Sequence, residues 1–212
     1  MKFANGEKMK KTVNVAVLVS GGGTNLQAII DYSATGKLDC AKLVKVISNK
    51  ENAYALERAK NAGIQTAVVI KKGKTQSEFE SGLIKELESC NAQVIVLAGF
   101  MCILSKDFTD RYKERIINVH PSLIPSFCGE GFYGLKVHEY ALAKGVKVTG
   151  ATVHFVNEIP DGGKIIMQKA VKVKETDTPE VLQKRVMEEA EWKILPASLQ
   201  LVCKNLLKGE LK

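Results

Sequence analysis

Apolar and polar positions along the chain alternate between two periods. Val13 to Val19 (V-N-V-A-V-L-V) is short and β-branched, and Ser20-Gly21-Gly22-Gly23 ends it, so it reads as a buried strand. From Asn25 to Ser33 the apolar residues Leu26, Ile29 and Ile30 share one helical face. A second strand is expected near Leu43 to Ile47, a helix from Ala53 to Ala62 stopping at Gly63, and a third strand from Thr66 to Ile70. Phe79, Leu83, Ile84 and Leu87 recur at helical spacing within Glu78 to Leu87. Val94 to Leu97 and Ile116 to Val119 predict a fourth and a fifth strand. Strand and helix alternating in this way imply right-handed crossovers and a mostly parallel sheet covered on both faces.

Beyond Val119 the pattern changes. Val146 to Val156 and Lys164 to Val173 predict longer strands joined by Ile159-Pro160-Asp161-Gly162-Gly163, then a late helix from about Pro179 to Cys203, broken or kinked at Pro196. The expected fold class is therefore a single α/β domain. Its front half is a Rossmann-like, mostly parallel sheet, and its back half is richer in β, with an antiparallel strand and a long terminal helix. Residues 1–12 form a basic N-terminus, read as flexible. Ligands of such sheets bind beyond the carboxyl ends of the strands. The glycine loop and the segments after the fourth and fifth strands fall there.

Composition narrows the class. The 212 residues include 31 Lys and Arg against 23 Asp and Glu, a net charge of +8. Apolar residues make up 45% and charged ones 25%, an ordinary soluble mixture. The longest uncharged apolar stretch, Val94 to Leu104, is far short of the ~20 residues of a spanning helix, so no membrane partner is expected. No secretory signal is read at the N-terminus. Five scattered cysteines with no C-x-x-C pair support neither a zinc site nor a disulfide framework, and a cytoplasmic location fits best. The positive charge is read as a solvated lysine surface. With 6% aromatic residues and no arginine run, a nucleic-acid footprint is weak.

Three segments carry candidate chemistry. Ser20-Gly21-Gly22-Gly23-Thr24-Asn25 can bring the backbone close to a phosphate at a helix N-terminus, or simply make a tight turn capped by Thr24 or Asn25. A dinucleotide fingerprint fails, because its third glycine position is Leu26 and the second strand ends Ile47-Ser48-Asn49-Lys50 without an acid. Gly73-Lys74-Thr75 mimics a P-loop, but Val68 stands where the earlier glycine belongs. A single phosphate on a smaller substrate is the better inference.

In Asn118-Val119-His120-Pro121, extended backbone points Asn118 and His120 to one side, and Pro121 holds His120 extended. An amide beside an imidazole suits acyl transfer, but a structural histidine with a turn-forming asparagine fits equally well. Pro160-Asp161-Gly162-Gly163 makes a turn, or supplies a carboxylate that raises an imidazole's pKa. His154 is read as a packed sheet residue, His138 as exposed on a short amphipathic helix, and Trp192 as core.

Taken in order, VLVSGGGTNLQAII (17–30), ISNKENAYALERAKNAG (47–63), VLAGFMCILS (96–105), NVHPSLIP (118–125), TGATVHFV (149–156) and Asp161-Gly162-Gly163 resemble the folate-dependent glycinamide ribonucleotide formyltransferases over nearly the whole chain. The resemblance implies transfer of a formyl group from 10-formyltetrahydrofolate, as co-substrate, to glycinamide ribonucleotide, in purine biosynthesis, with no metal. By the same resemblance Asn118, His120 and Asp161 are the catalytic trio, with Asp161 keeping His120 protonated near neutral pH. Gly22, Gly23, Thr24, Asn25, Pro121 and Glu191 hold the ribonucleotide. Gln76, Met101, Cys102, Ile103, Leu104, Asn118, Pro160 and Asp161 meet the folate.

Cys102 and Gln76 stand where many members have arginines; at Cys102 the polar contact to the folate is expected to be lost or supplied by backbone, and at Gln76 Lys71, Lys72 or Lys74 is the expected replacement. Cys128 to Gly134 lengthens the loop after His120 into an expected flap. Relatives that formylate an initiator tRNA or hydrolyse the folate normally carry a further domain, which the length argues against. A non-catalytic binding module would lack the trio. A monomer or homodimer is expected.

Overall fold

The computed structural model describes residues 11–211, so the expectation of a flexible N-terminus lies, for residues 1–10, outside the described residues. Seven strands form one sheet in the order β3-β2-β1-β4-β5-β6-β7. They are β1 Val13–Val19, β2 Ala41–Ser48, β3 Gln65–Val68, β4 Val94–Leu97, β5 Ile116–His120, β6 Val148–Phe155 and β7 Ile165–Lys172. Strands β1 to β5 pair in parallel, and β6 and β7 add antiparallel. The chain builds outward from β1 through β2 to β3 and then crosses to β4 on the other side of β1. The carboxyl ends of β1 and β4 therefore flank the point where strand order reverses, the usual ligand crevice of such sheets.

Each face of the sheet has its own core. Val13, Val15, Val17 and Val19 of β1 face helices α1 (Thr24–Ala34), α2 (Tyr54–Asn61), α6 (Pro179–Val186) and α7 (Trp192–Lys208). Ala16 and Leu18 face α3 (Gln76–Ser89) and α4 (Lys106–Arg111). Burial on both faces is why β1 reads as a continuous apolar run rather than an alternating one. No helix among the described residues is long and apolar enough to cross a membrane.

Several local expectations are corrected. Neither Thr24 nor Asn25 caps α1; the N-cap is Gly23, with no side-chain cap. A Cβ on Gly23 would lie 2.6 Å from that of Ala55, so α2 packs too close for any other residue there, and φ is +74°. Thr75 of the P-loop lookalike instead forms a capping box with Glu78 and starts α3. Helix α4, capped by Ser105, has no counterpart among the expected elements, because six residues are too few to show a period. The late helix is interrupted not at Pro196, which lies inside α7, but by a π-helical segment, Met187–Glu191. His138, on α5 (Leu135–Ala143), is fully buried rather than exposed. Trp192 is only half-buried, although its neighbours Ile194 and Leu195 are core.

Candidate active site

The β5–β6 register explains the first cluster. Asn118 pairs with His154 and His120 with Thr152 across the antiparallel junction. Ile117 and Val119 fill one core, so Asn118 and His120 project together from the opposite face. The turn after β6 then delivers Asp161, a non-glycine at φ +55°, a conformation that aspartate tolerates better than bulky residues do. Gly163 makes this turn possible: a Cβ there would lie 1.7 Å from the Phe155 carbonyl oxygen.

Asp161 Oδ2 lies 3.4 Å from His120 Nδ1, and Oδ1 lies 3.4 Å from His154 Nε2. His154 Nδ1–H donates to the Phe155 carbonyl (2.8 Å), leaving Nε2 facing Asn118 Nδ2 at 3.3 Å. His154, read from sequence as mere packing, is therefore part of the cluster. The missed signal was the cross-strand pairing, which only a register reveals.

His120 is 4% exposed, and its Nε2–H donates to the Phe127 carbonyl at 2.8 Å. Burial pushes the imidazole below its usual pKa, outweighing the Asp161 carboxylate and the Phe127 carbonyl, which favour the cation. The expectation that Asp161 keeps this ring protonated near neutral pH is therefore corrected: Asp161 does raise the ring's pKa, but burial outweighs it. Asp161 itself is held below the usual carboxylate range: burial works against it, but hydrogen bonding from His154, whose Nε2 donates when the ring is protonated, the His120 charge and the Gly129 amide (2.9 Å) prevail. His138 lies near enough to feel His120. Burial, with that neighbour, pushes it down to about 4.

A narrow crevice beside this cluster is lined by Cys102, Ile103, Leu104, Asn118, Pro160 and Asp161, together with Leu97, Phe100 and His154. It thus brings together six of the eight residues assigned to the folate. Met101 and Ile103 are 53% and 62% exposed, an apolar lip on this segment. Gln76 is turned away: its amide donates to Glu80 Oε1 (2.6 Å) and to the Ile103 carbonyl (3.0 Å). The buried Glu80 also accepts from the Ser105 amide (2.6 Å) and hydroxyl (2.5 Å), so it holds the Ser105 end of the 103–105 segment directly and the Ile103 end through Gln76. Cys102 Sγ accepts from Nδ2 of Asn49 (3.0 Å), which lines a second, wider crevice with Ser20, Gly21, Gly22, Lys50 and Lys72.

The glycine loop forms the second cluster. The Gly21 carbonyl accepts from the Ala55 amide (3.0 Å) and that of Gly22 from Arg58 Nε (2.8 Å), so both carbonyls are engaged by α2. The first turn of α1 has no side-chain cap, unlike α3, α4 and α6. Uncapped amides at a helix start suit an anion. Thr24 lines a groove on the outer side of α1 instead of the crevices, and Pro121 is half-buried directly after His120.

Asn25 Nδ2 donates to Glu191 Oε2 at 2.7 Å, so the π segment brings Glu191 to the loop across 166 residues. Burial pushes Glu191 up to about 7, only partly opposed by Asn25. A carboxyl with a raised folded-state pKa contributes fully below its unfolded value and loses that contribution as pH rises through the folded one. Glu191→Gln keeps the acceptor and removes the charge. Its stability should gain on the parent between about pH 5 and about pH 8, by on the order of 3 kcal/mol. Thermal melts across that range give the answer; a constant difference would mean that burial does not penalise the Glu191 charge.

The described residues contain no group of three or more His, Cys, Asp or Glu side chains placed to hold a metal ion. The comparisons with known proteins agree on one family. The family model for formyl transferases matches residues 13–199. A phosphoribosylglycinamide formyltransferase of Haemophilus influenzae is 42% identical over 205 residues, covering 96% of this chain and 90% of that protein. The human trifunctional purine biosynthetic protein adenosine-3 is 46% identical over 200 residues, covering 94% of this chain. The chain spans about a fifth, 19%, of that longer relative. Among solved structures, glycinamide ribonucleotide transformylase 1 from Symbiobacterium toebii superposes with a TM-score of 0.85 at 37% identity, over 92% of this chain and 89% of that one.

Proposed function

Because this chain belongs to the formyl transferase family, we propose that it moves the formyl group of 10-formyltetrahydrofolate to the amine of glycinamide ribonucleotide, in purine biosynthesis, through Asn118, His120 and Asp161. The observation that carries this reading is the convergence of Asn118, His154 and Asp161 on a largely apolar slot, with His120 buried behind Asp161 at 3.4 Å and a glycine-lined helix start on the same edge of the sheet.

The chemistry follows from the atoms present. The amine attacks the formyl carbon, the carbonyl electrons move onto oxygen, and the nitrogen becomes positive. The Asn118 amide donates to the developing oxyanion, an effect worth roughly 3 kcal/mol per well-placed donor. One proton must then leave the attacking nitrogen and one must reach the departing folate nitrogen. His120 in its neutral form has a lone pair on Nδ1, since Nε2 carries the hydrogen that meets Phe127. It takes the first proton, directly or through water, and the resulting imidazolium, stabilised by Asp161, returns a proton to the folate nitrogen as the C–N bond breaks. The proton balance closes within the site, and neither a metal ion nor nucleic acid enters the scheme.

On this reading the apolar 101–104 segment and Pro160 grip the pterin, and the α1 start with Gly22, Gly23, Thr24, Asn25, Pro121 and Glu191 takes the ribonucleotide. The Cys102 thiol and the inward-turned Gln76 leave the anionic end of the folate to Lys71, Lys72 or Lys74. The chain acts as a single cytoplasmic domain, monomeric or homodimeric.

The test is direct. Purified protein with both substrates should release tetrahydrofolate and formylated ribonucleotide in equal amounts. Omitting the ribonucleotide should abolish folate turnover; unchanged consumption would identify a hydrolase instead.

A further inference from the structure

The loop after β5 returns over the pair His120–Asp161 with two backbone groups, the Phe127 carbonyl on His120 Nε2–H and the Gly129 amide on Asp161 Oδ2. Neither is a side chain, so their placement depends on whatever seats the loop. Phe127 adopts φ +50°, which a bulky residue avoids, so local backbone preference does not hold it there. The rings do: Phe132 lies 6.4 Å from Phe127 and meets Tyr140 of α5 edge-on at 5.1 Å. These separations and tilts are those at which aromatic rings attract. The Phe132 amide also donates to the Gly129 carbonyl at 3.2 Å, and Ser122 Oγ to the Ser126 carbonyl at 2.5 Å. The lengthened segment, read from sequence as a flap, is thus seated on the catalytic pair.

We propose that Phe132, wedged between Phe127 and Tyr140, is a positioning residue that seats this loop so that its backbone holds His120 and Asp161 in working orientation. The Phe127 carbonyl at 2.8 Å and the Asp161 carboxylate at 3.4 Å both only accept, so they compete for the one proton of the neutral ring; the seated loop, at the shorter distance, draws it to Nε2 and leaves Nδ1 facing Asp161. Without the wedge, Phe127 relaxes to ordinary backbone angles and its carbonyl leaves the ring. The other titratable groups near His120 are Asp161 from the turn after β6, His154 on β6, and His138 on α5, with Cys128 beside Asp161. None of them accepts from Nε2 in place of Phe127. The kinetic consequence rests on the formyl-transfer reading; the tautomer does not.

The experiment uses the ligand-free full chain and its three histidines, whose imidazole nitrogen shifts report the tautomer. Above about pH 7.5, where the neutral ring dominates, His120 should be a single Nε2–H tautomer in the parent and in Phe132→Tyr, and mixed in Phe132→Ala. Phe132→Ala should lower kcat about tenfold with both KM values within about twofold, and Phe132→Tyr should restore it. Should Phe132→Ala fail to fold, Tyr140→Ala, at a position 51% exposed, removes the other half of the wedge and should give the same tautomer mixing. An unchanged tautomer in the folded variant overturns the proposal, whatever kcat does. A parent protein without ribonucleotide-dependent transfer but with the expected tautomers would remove the formyl-transfer reading and leave the wedge standing.

Discussion

Replacing His120 with alanine is expected to lower kcat roughly a thousandfold, the range of a lost general acid–base group. Within the proposed trio the ring is the group that can accept a proton at one moment and return it at the next, since Asn118 cannot ionise and Asp161 is held in its charged form. The variant keeps the sheet, because the cores on both faces are built from other residues. It leaves the Phe127 carbonyl without its donor, so a loss of about 1–3 kcal/mol in stability is expected as well. Single-turnover rates separate the two effects: stability changes the amount of active protein, and the chemical step reports the proton carrier. A variant whose chemical step matched the parent's would end His120's assignment.

Asp161→Asn is expected to be the second most damaging change, with kcat falling by roughly a hundredfold or more. Asparagine can still accept from the Gly129 amide, so the turn has little reason to collapse. What disappears is the negative charge that opposes burial at His120 and stabilises the imidazolium once it forms. The sign of the pH effect follows. Asp161 raises the His120 pKa, and burial already holds that value below the ordinary 6.5. Removing the charge must lower it further. The acid limb of kcat/KM in the parent should lie below that ordinary value, and in Asp161→Asn it should move to still lower pH. A limb that moved upward would mean that Asp161 acts on some group other than His120.

The two halves of the molecule were not equally legible. Strands β1 to β5 and helices α1 to α3 were readable because fully buried strands and amphipathic helices print their periods directly into the residue order. The trio Asn118, His120 and Asp161 was nameable as three separate candidates, and the resemblance to a family, rather than spacing, joined them. His154 escaped because a β-branched stretch looks the same whether its histidine packs or faces a ligand. His138 escaped for the opposite reason: an i, i+3 pattern on a short helix does not say which face a neighbouring element covers. Pro196 misled because proline marks where a backbone donor is missing, while the irregularity itself fell earlier in the chain, at Met187–Glu191. The His120 charge state was misjudged from a true premise, since a nearby carboxylate does favour the cation but the depth of burial is a tertiary quantity.

Local chemistry along the chain thus determined the α/β order of elements, the glycine turn at Gly23, the shared side of Asn118 and His120, and the tight turn at Asp161-Gly162-Gly163. These depend on backbone dihedrals and side-chain period, which neighbouring residues set among themselves. Tertiary structure alone decided that His154 lies beside Asn118, that Glu191 reaches Asn25, that Gln76 turns inward to Glu80, and that Phe127 and Gly129 close on His120 and Asp161. Each is a contact between distant segments. Its formation depends on strand register, burial and packing, quantities that have no value until the chain has folded.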